Sequence, residues 1–147
     1  MLLLYKGDVM VKFYNNLVEE ARNIRYEVFI EEQGFNVEID EIDDIATHCV
    51  LYENNKAIGV CRFFNNDHPQ YFHLGRFAIK KMYRKNNNGK KLLLAVIDKI
   101  KSLNGKEIHI SAQLDAIGFY KKCGFIITSE IYYEQHCPHQ DMILKLI

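Results

Sequence analysis

Apolar and polar residues change period along this chain, and the changes mark its elements. Residues 10–13 read as a short strand. Leu17, Ala21, Ile24, Val28 and Phe29 then recur at helical spacing, which predicts a helix with one apolar face. Asn15 or Asn16 stands where a side chain caps such a helix, Glu19 and Glu20 fall in its first turn, and Gly34 stands where it should end. Residues 47–53 and 56–64 return to strand character, and the Asn54-Asn55 pair between them suits the positive φ of a tight hairpin. Residues 65–69 make a turn and residues 70–79 a further strand. After a basic turn at 84–91, Leu92, Leu93, Val96, Ile97, Ile100 and Leu103 share one helical face. Asn104-Gly105 ends that helix, and residues 107–112 form a strand. Strand–helix–strand connectivity implies that this strand lies parallel to 70–79. Residues 125–147 predict two more strands, the last with Ile143, Leu144, Leu146 and Ile147 at its apolar end. The pattern describes an α/β (α+β) fold: a mixed, mostly antiparallel sheet flanked by helices.

Composition narrows the function. The chain has 147 residues, 48% of them hydrophobic, which suits one domain spanning 1–147. Nineteen basic and nineteen acidic residues cancel, so no global field points to a nucleic acid or a membrane. Charge is segregated locally, acidic over 31–44 and basic over 80–91. Facing each other, these stretches would separate an amine site from a phosphate site; otherwise they are two solvated segments. The apolar start at 1–4 is too short for a span or a signal, and Lys6 and Asp8 follow it. Cys49, Cys61, Cys123 and Cys137 show no C-x-x-C spacing, so the chain reads as a reduced, cytoplasmic protein. His136, Cys137 and His139, with His68 and His73, lack the spacing of a zinc set, and no metal is expected. Cys123, just before Gly124 with no fixed His neighbour, reads as filler rather than an acyl-carrying nucleophile.

The basic turn carries the most chemistry. A turn that opens a helix presents unpaired N–H groups, a ready site for pyrophosphate. Here Arg84, Lys85, Asn86, Asn87, Asn88, Gly89 and Lys90 form it. A nucleotide P-loop is excluded, because Arg84 occupies its first Gly position and Lys91 its Ser/Thr position. No G-x-G-x-x-G run exists. The pattern R/Q-x-x-G-x-G/A fits Arg84 and Gly89, with Asn87 in the first Gly position. Asn is the next best residue for a left-handed backbone.

On these residues the chain resembles the GNAT superfamily of acyl-CoA-dependent N-acyltransferases. Two further runs carry the resemblance. Arg25-Tyr-Glu-Val-Phe-Ile-Glu-Glu-Gln-Gly, followed by Glu38-Ile-Asp40-Glu-Ile-Asp43 and His48, looks like the R-x-x-V-F-x-x-E-Q-G run of a small bacterial subgroup. Gln113-Leu-Asp-Ala116-Ile-Gly-Phe119-Tyr120-Lys-Lys-Cys-Gly124-Phe125 matches N-x-x-A-x-x-F-Y-x-K-x-G-F except at Gln113. The Pro138-His139-x-x-Met142 ending is similar to that subgroup's, so the likeness spans most of the chain.

The resemblance implies a central pair of parallel strands that splay apart. Acetyl-CoA would lie in the opening, its pantetheine on Phe77, Ala78 and Ile79 and its pyrophosphate on the 84–90 turn. Gln113, Ala116 and Phe119 would complete the cofactor side. The acceptor would be the primary amine of a small molecule, walled by Arg25, Phe29, Glu32, Gln33, Glu130 and His139. Arg25 and Glu32 suit ion pairs tying helix to loop equally well. The amine must lose a proton before attack. A backbone N–H near Ala78 would stabilise the oxyanion. Tyr120 would protonate the leaving thiolate, or else serve as a core aromatic beside Phe119. Many relatives carry a Glu just before Arg76, where this chain has Gly75. His73, two residues earlier and on the same strand face, is the substitute base, with Glu32, Glu130, Glu134 and His139 as alternatives. The reading is direct acetyl transfer in a ternary complex. A non-catalytic acyl-CoA-binding or regulatory domain and a peptide or protein N-acetyltransferase are the alternatives. A homodimer through the apolar last strand is the associated expectation.

Overall fold

The computed structural model describes residues 2–5 and 9–146. Among them, nine strands form one sheet: β1 (Leu2–Tyr5), β2 (Val9–Tyr14), β3 (Thr47–Glu53), β4 (Lys56–Phe64), β5 (Tyr71–Ile79), β6 (Glu107–Gln113), β7 (Ile126–Ile127), β8 (Tyr132–Glu134) and β9 (Cys137–Lys145). Their order is β1-β2-β3-β4-β5-β6-β9-β7, with β8 also beside β9. The β5–β6 pair is parallel and the other pairs are antiparallel. Helix α1 (Glu19–Arg25) continues as a π-helix, Tyr26–Glu32; α2 (Asn88–Ser102) makes the β5–β6 crossover, and α3 (Ile117–Lys122) follows β6.

The alternation of β6 explains the layering. Ile108, Ile110 and Ala112 point to one face, where they join Phe72, Leu74 and the buried side of α2: Leu92, Leu93, Val96, Ile97 and Ile100. On the opposite face Ala21, Ile24, Val28 and Phe29 pack on Val50, Tyr52, Val60 and Ala78. Helix α1 therefore covers β3 and β4. His109, Ser111 and Gln113 emerge on α1's side of the sheet but beyond α1's reach, and the site forms there.

The β3–β4 hairpin turns on Asn54 and Asn55, with φ of +50° and +67°. Gly34, at φ +75°, ends the first helix as expected. Other expectations are corrected. Neither Asn15 nor Asn16 caps α1; it starts at Glu19 behind Val18 without a side-chain cap, because Leu17 and Val18 pack onto the α1 core and set the chain's entry. Leu103 lies past the end of α2 and is 43% exposed. The apolar start contributes a strand that its length did not suggest, and the tail forms three strands rather than two. Strand β9 is paired by β6 on one side and, over 137–139 and 142–143, by β8 and β7 on the other, so little of its edge is open for the expected pairing between copies. Ile147 lies outside the described residues. Among the described residues no helix is long and apolar enough to cross a membrane.

Candidate active site

Strands β5 and β6 pair only from Tyr71 opposite Glu107 to Leu74 opposite Ile110. A β-bulge separates them beyond that point. Val60 of β4 faces Ala78 and Arg62 faces Gly75, so Cys61 alone stands opposite both Arg76 and Phe77. Such a bulge bends its strand and increases its twist. Arg76 adopts φ +49°. Ala78 and Ile79 stay paired with β4 while residues 77–79 leave β6, and a cavity of about 1080 Å³ occupies the gap. Phe77, Ala78 and Ile79 line one wall, and residues 110–113 of β6 line the other.

The basic turn adjoins this cavity. Asn86 and Asn87 take φ of +61° and +59°, the left-handed backbone anticipated for Asn87. Asn87 precedes α2 without capping it through its side chain. The N–H groups of Gly89 and Lys90 lie in the first turn, ahead of any helical acceptor. Asn88 is buried; its Nδ2 donates to the Tyr83 carbonyl at 2.8 Å and its Oδ1 has no partner. Its side chain braces the turn from inside rather than facing a ligand. A Cβ on Gly89 would stand 3.4 Å from the Phe119 ring, an ordinary contact distance, so the turn lies directly against Phe119. Lys85, Asn86, Asn87, Asn88, Gly89 and Lys90 are not in the cavity wall; the turn meets it through Phe119 and Ile79, which are.

Arg84 is already engaged. Its Nε donates to the Ile79 carbonyl at 2.8 Å, and its two terminal nitrogens hold both Glu32 oxygens at 2.6 Å. That fork keeps the Glu32 carboxyl below its usual range.

Tyr120, on α3, is buried among Phe77, Phe119 and Phe125, with ring centroids 6.1, 5.1 and 5.5 Å away. It lines the cavity. Burial, then the neighbouring Cys61 and Cys123, push its phenol well above the ordinary value, so it keeps its proton.

The opposite wall is polar. Ser111 hydrogen-bonds the Tyr132 hydroxyl and donates to Glu134 at 3.2 Å. Tyr132 donates to Asp141 at 2.5 Å; burial first, and then Asp141, push its phenol up to about 12. His139 is buried with Nε2 3.3 Å from Glu134. His73 lines the cavity's closed end, where β5 and β6 still pair. Its Nε2 is 3.2 Å from Asp67, its ring stacks on Phe64, and His109 lies 5.5 Å away.

A strap closes over this side. Gln113 Nε2 donates to Gln33 Oε1 at 2.8 Å, and His136 Nε2 lies 2.7 Å from the Gln33 carbonyl. The Asn36 N–H donates to Gln135 at 2.8 Å, and Gln135 donates to the Val37 carbonyl at 3.2 Å. Residues 33–37, on the α1 half of the sheet, are thereby tied to the β8–β9 turn on the other half.

Of the anticipated residues, Phe29, Glu32, Gln33, His73, Phe77, Ala78, Ile79, Arg84, Gln113, Ala116, Phe119, Tyr120 and His139 line one cavity. Arg25 and Glu130 do not. Glu130 is exposed. Arg25 is 1% exposed, and its nitrogens are taken by Glu38 and Asp43 at 2.7–3.1 Å. The acidic stretch is no free amine trap: its Glu32 is tied to Arg84 of the basic turn, and Glu38, Asp40 and Asp43 are matched by Arg25, Arg62 and Arg76. Sequence reasoning passed over Ser111 and Asp141. The signal for Ser111 was the polar period of two at His109, Ser111 and Gln113.

A mixed sheet whose parallel pair parts beside a helix-opening turn defines a fold class, and comparison with known proteins identifies the family. The acetyltransferase (GNAT) domain family matches residues 16–146, and the chain belongs to it. The uncharacterized protein YyaT of Bacillus subtilis is 37% identical over 130 residues, 83% of this chain and 84% of that protein. A Lactobacillus plantarum structure, described as a candidate N-acetyltransferase, superposes with a TM-score of 0.85 at 26% identity, over 96% of this chain and 100% of that one. A Bacillus subtilis acetyltransferase in complex with CoA shares the fold at a TM-score of 0.73 and 21% identity, over 93% of this chain and 98% of that one.

Proposed function

We propose that this GNAT protein transfers an acetyl group from acetyl-CoA to the primary amine of a small molecule, directly, in a ternary complex. One observation carries the reading. A single cavity is lined by Ile79, Arg84 and Phe119 beside the basic turn, by Tyr120 within, and by Glu134, His139 and Asp141 opposite. Donor and acceptor can therefore meet inside it.

Each residue then has a task. Residues 77–79 have no ladder partner on β6, and pantetheine amides can take the backbone groups left there, apart from the Ile79 carbonyl that Arg84 already holds. The first-turn N–H groups of Gly89 and Lys90 hold pyrophosphate, with Arg84 and Lys90 adding charge. Glu134 and Asp141 attract the ammonium form of the acceptor; they line the cavity, whereas Glu38, Asp40 and Asp43 of the acidic stretch are already matched by arginines. The ammonium gives one proton to His73 or to water before attack, and the nitrogen gives a second to water as the amide forms. The C–N bond forms as the C–S bond breaks, an N–H near Ala78 steadies the oxyanion, and Tyr120 gives its proton to the thiolate. Tyr120 regains a proton from solvent. The four unpaired cysteines support a reducing compartment such as the cytoplasm.

Gly75, standing where a carboxylate would serve as base, favours a second reading: a domain that binds acyl-CoA without turnover. A panel of small amines with acetyl-CoA separates the two, with free thiol as the readout. Thiol release above hydrolysis with at least one amine supports transfer. A melting shift with CoA and no amine-dependent thiol would leave a binder. Acetylation of peptides unaffected by competing small amines would overturn the small-molecule acceptor.

A further inference from the structure

Seven non-glycine residues among those described have positive φ. Five are asparagines, and Gln135 sits in the β8–β9 turn. Arg76 alone lies inside a strand. A left-handed backbone is disfavoured for any residue with a Cβ, so something must hold it.

The side chain of Arg76 shows what does. Its Nε donates to the Glu38 carbonyl at 2.8 Å and lies 3.4 Å from the Glu38 carboxylate, and its Nη2 reaches Asp40 at 3.2 Å. Those partners are themselves fixed. Arg25 holds Glu38 at 2.8 Å and Asp43 at 2.7 Å. Arg62, directly opposite Gly75 at the edge of the bulge, holds Asp40 at 2.6 Å and Asp43 at 2.8 Å. Asp40 also accepts from the Ile42 N–H, and the Asp43 side chain accepts from the Asp40 N–H. Three arginines and three carboxylates thus join the acidic loop to β4 and β5 at the point where β5 leaves β6.

We propose that Arg76 is a positioning residue: its guanidinium, clamped by Glu38 and Asp40, fixes the left-handed backbone that turns residues 77–79 off β6 and opens the cleft. Glu38 and Arg76 themselves line the cavity, whereas Asp40 does not, so Asp40 can act on the cofactor site only through the backbone that Arg76 holds. This rests on the reading of the cleft as the acetyl-CoA site.

The test uses Arg76→Ala, Arg76→Gly and Asp40→Asn in the full chain, with coenzyme A as the probe, titrated well below each melting temperature. Both Arg76 variants lose the guanidinium, but glycine adopts positive φ freely. Arg76→Ala is expected to weaken coenzyme A about tenfold, the equivalent of ~1.4 kcal/mol. Arg76→Gly should recover most of that loss. Asp40 does not line the cavity, yet Asp40→Asn should weaken binding about threefold, ~0.7 kcal/mol. Equal losses in the Ala and Gly variants would overturn the proposal, because they would mean that the guanidinium meets the ligand directly. Wild-type affinity in Asp40→Asn would overturn it too. A ligand-free readout keeps the two claims apart: without coenzyme A, Arg76→Gly should melt above Arg76→Ala. Equal or reversed melting order refutes the backbone role. If the wild type ignores coenzyme A, the cofactor reading fails, and the melting order still decides what Arg76 does.

Discussion

Arg84 and Glu32, fifty-two positions apart, meet through two bonds of 2.6 Å, so the arginine proposed here to meet pyrophosphate is already held by a carboxylate. The pair is partly exposed, so it adds little to stability. Its effect is on binding. Glu32 and pyrophosphate would compete for one guanidinium. Glu32→Gln should therefore tighten coenzyme A about threefold at low ionic strength, with the gain shrinking as salt is added. Titration calorimetry at two salt concentrations checks this. Weaker binding in the variant would mean that Glu32 orients Arg84 for the ligand instead of withholding it.

Tyr120→Phe removes one hydroxyl from the cavity wall and leaves the aromatic packing intact. If the phenol supplies the proton to the thiolate, kcat should fall about a hundredfold, the lower end of a typical general-acid contribution. Coenzyme A affinity should stay within a factor of two or so, since the ring contacts remain. Turnover and titration on the same preparation separate the two effects.

Asp43 accepts from Arg25 and Arg62 while nearly buried. Burial raises its carboxyl and the two arginines outweigh that, so it titrates well below its unfolded value. Asp43→Asn leaves two buried guanidinium groups short of a partner and should cost about 3 kcal/mol, roughly 6–12 °C in melting temperature. The group's folded pKa is depressed, so its contribution is fully present above the unfolded value near ~3.9 and is lost as pH falls toward the folded one. The gap between wild type and variant should stay constant near neutrality and narrow below about pH 4. Thermal melts across that range test it.

Gly34, at φ +75°, is the pivot from the π-helix into the strap. Gly34→Ala forces a Cβ into left-handed backbone at a cost of about 1 kcal/mol. It should also loosen the Gln33–Gln113 bridge. A raised acceptor KM with unchanged coenzyme A affinity is expected, as is acceptance of bulkier amines.

The sheet and its crossover helix could be read from periodicity, because Ile108, Ile110 and Ala112 or Leu92, Val96 and Ile100 encode their buried faces locally. The turn could be read too, since Asn is the non-glycine residue best suited to positive φ. The bulge could not. Nothing in Gly75-Arg76-Phe77 announces left-handed backbone at an arginine; that conformation depends on Glu38 and Asp40, thirty-odd positions away. For the same reason Arg25 looked like a site residue. Its charge was visible, but its partners at 38 and 43 are brought to it only by the folded loop. The π-helical end of the first helix was also hidden, as the apolar spacing from Leu17 to Phe29 fits an α-helix equally well.

Asparagine supplies five of the left-handed corners, two of them in the basic turn. Asparagine is also among the thermolabile side chains, losing its amide on prolonged heating. Each such loss would leave a carboxylate, and at Asn86 or Asn87 that new negative charge would stand where a phosphate is expected. Two clocks therefore run in this molecule, the melting of its core and the chemical ageing of its corners. If the turn holds coenzyme A as proposed, a sample stored warm would lose that hold while its sheet remained folded.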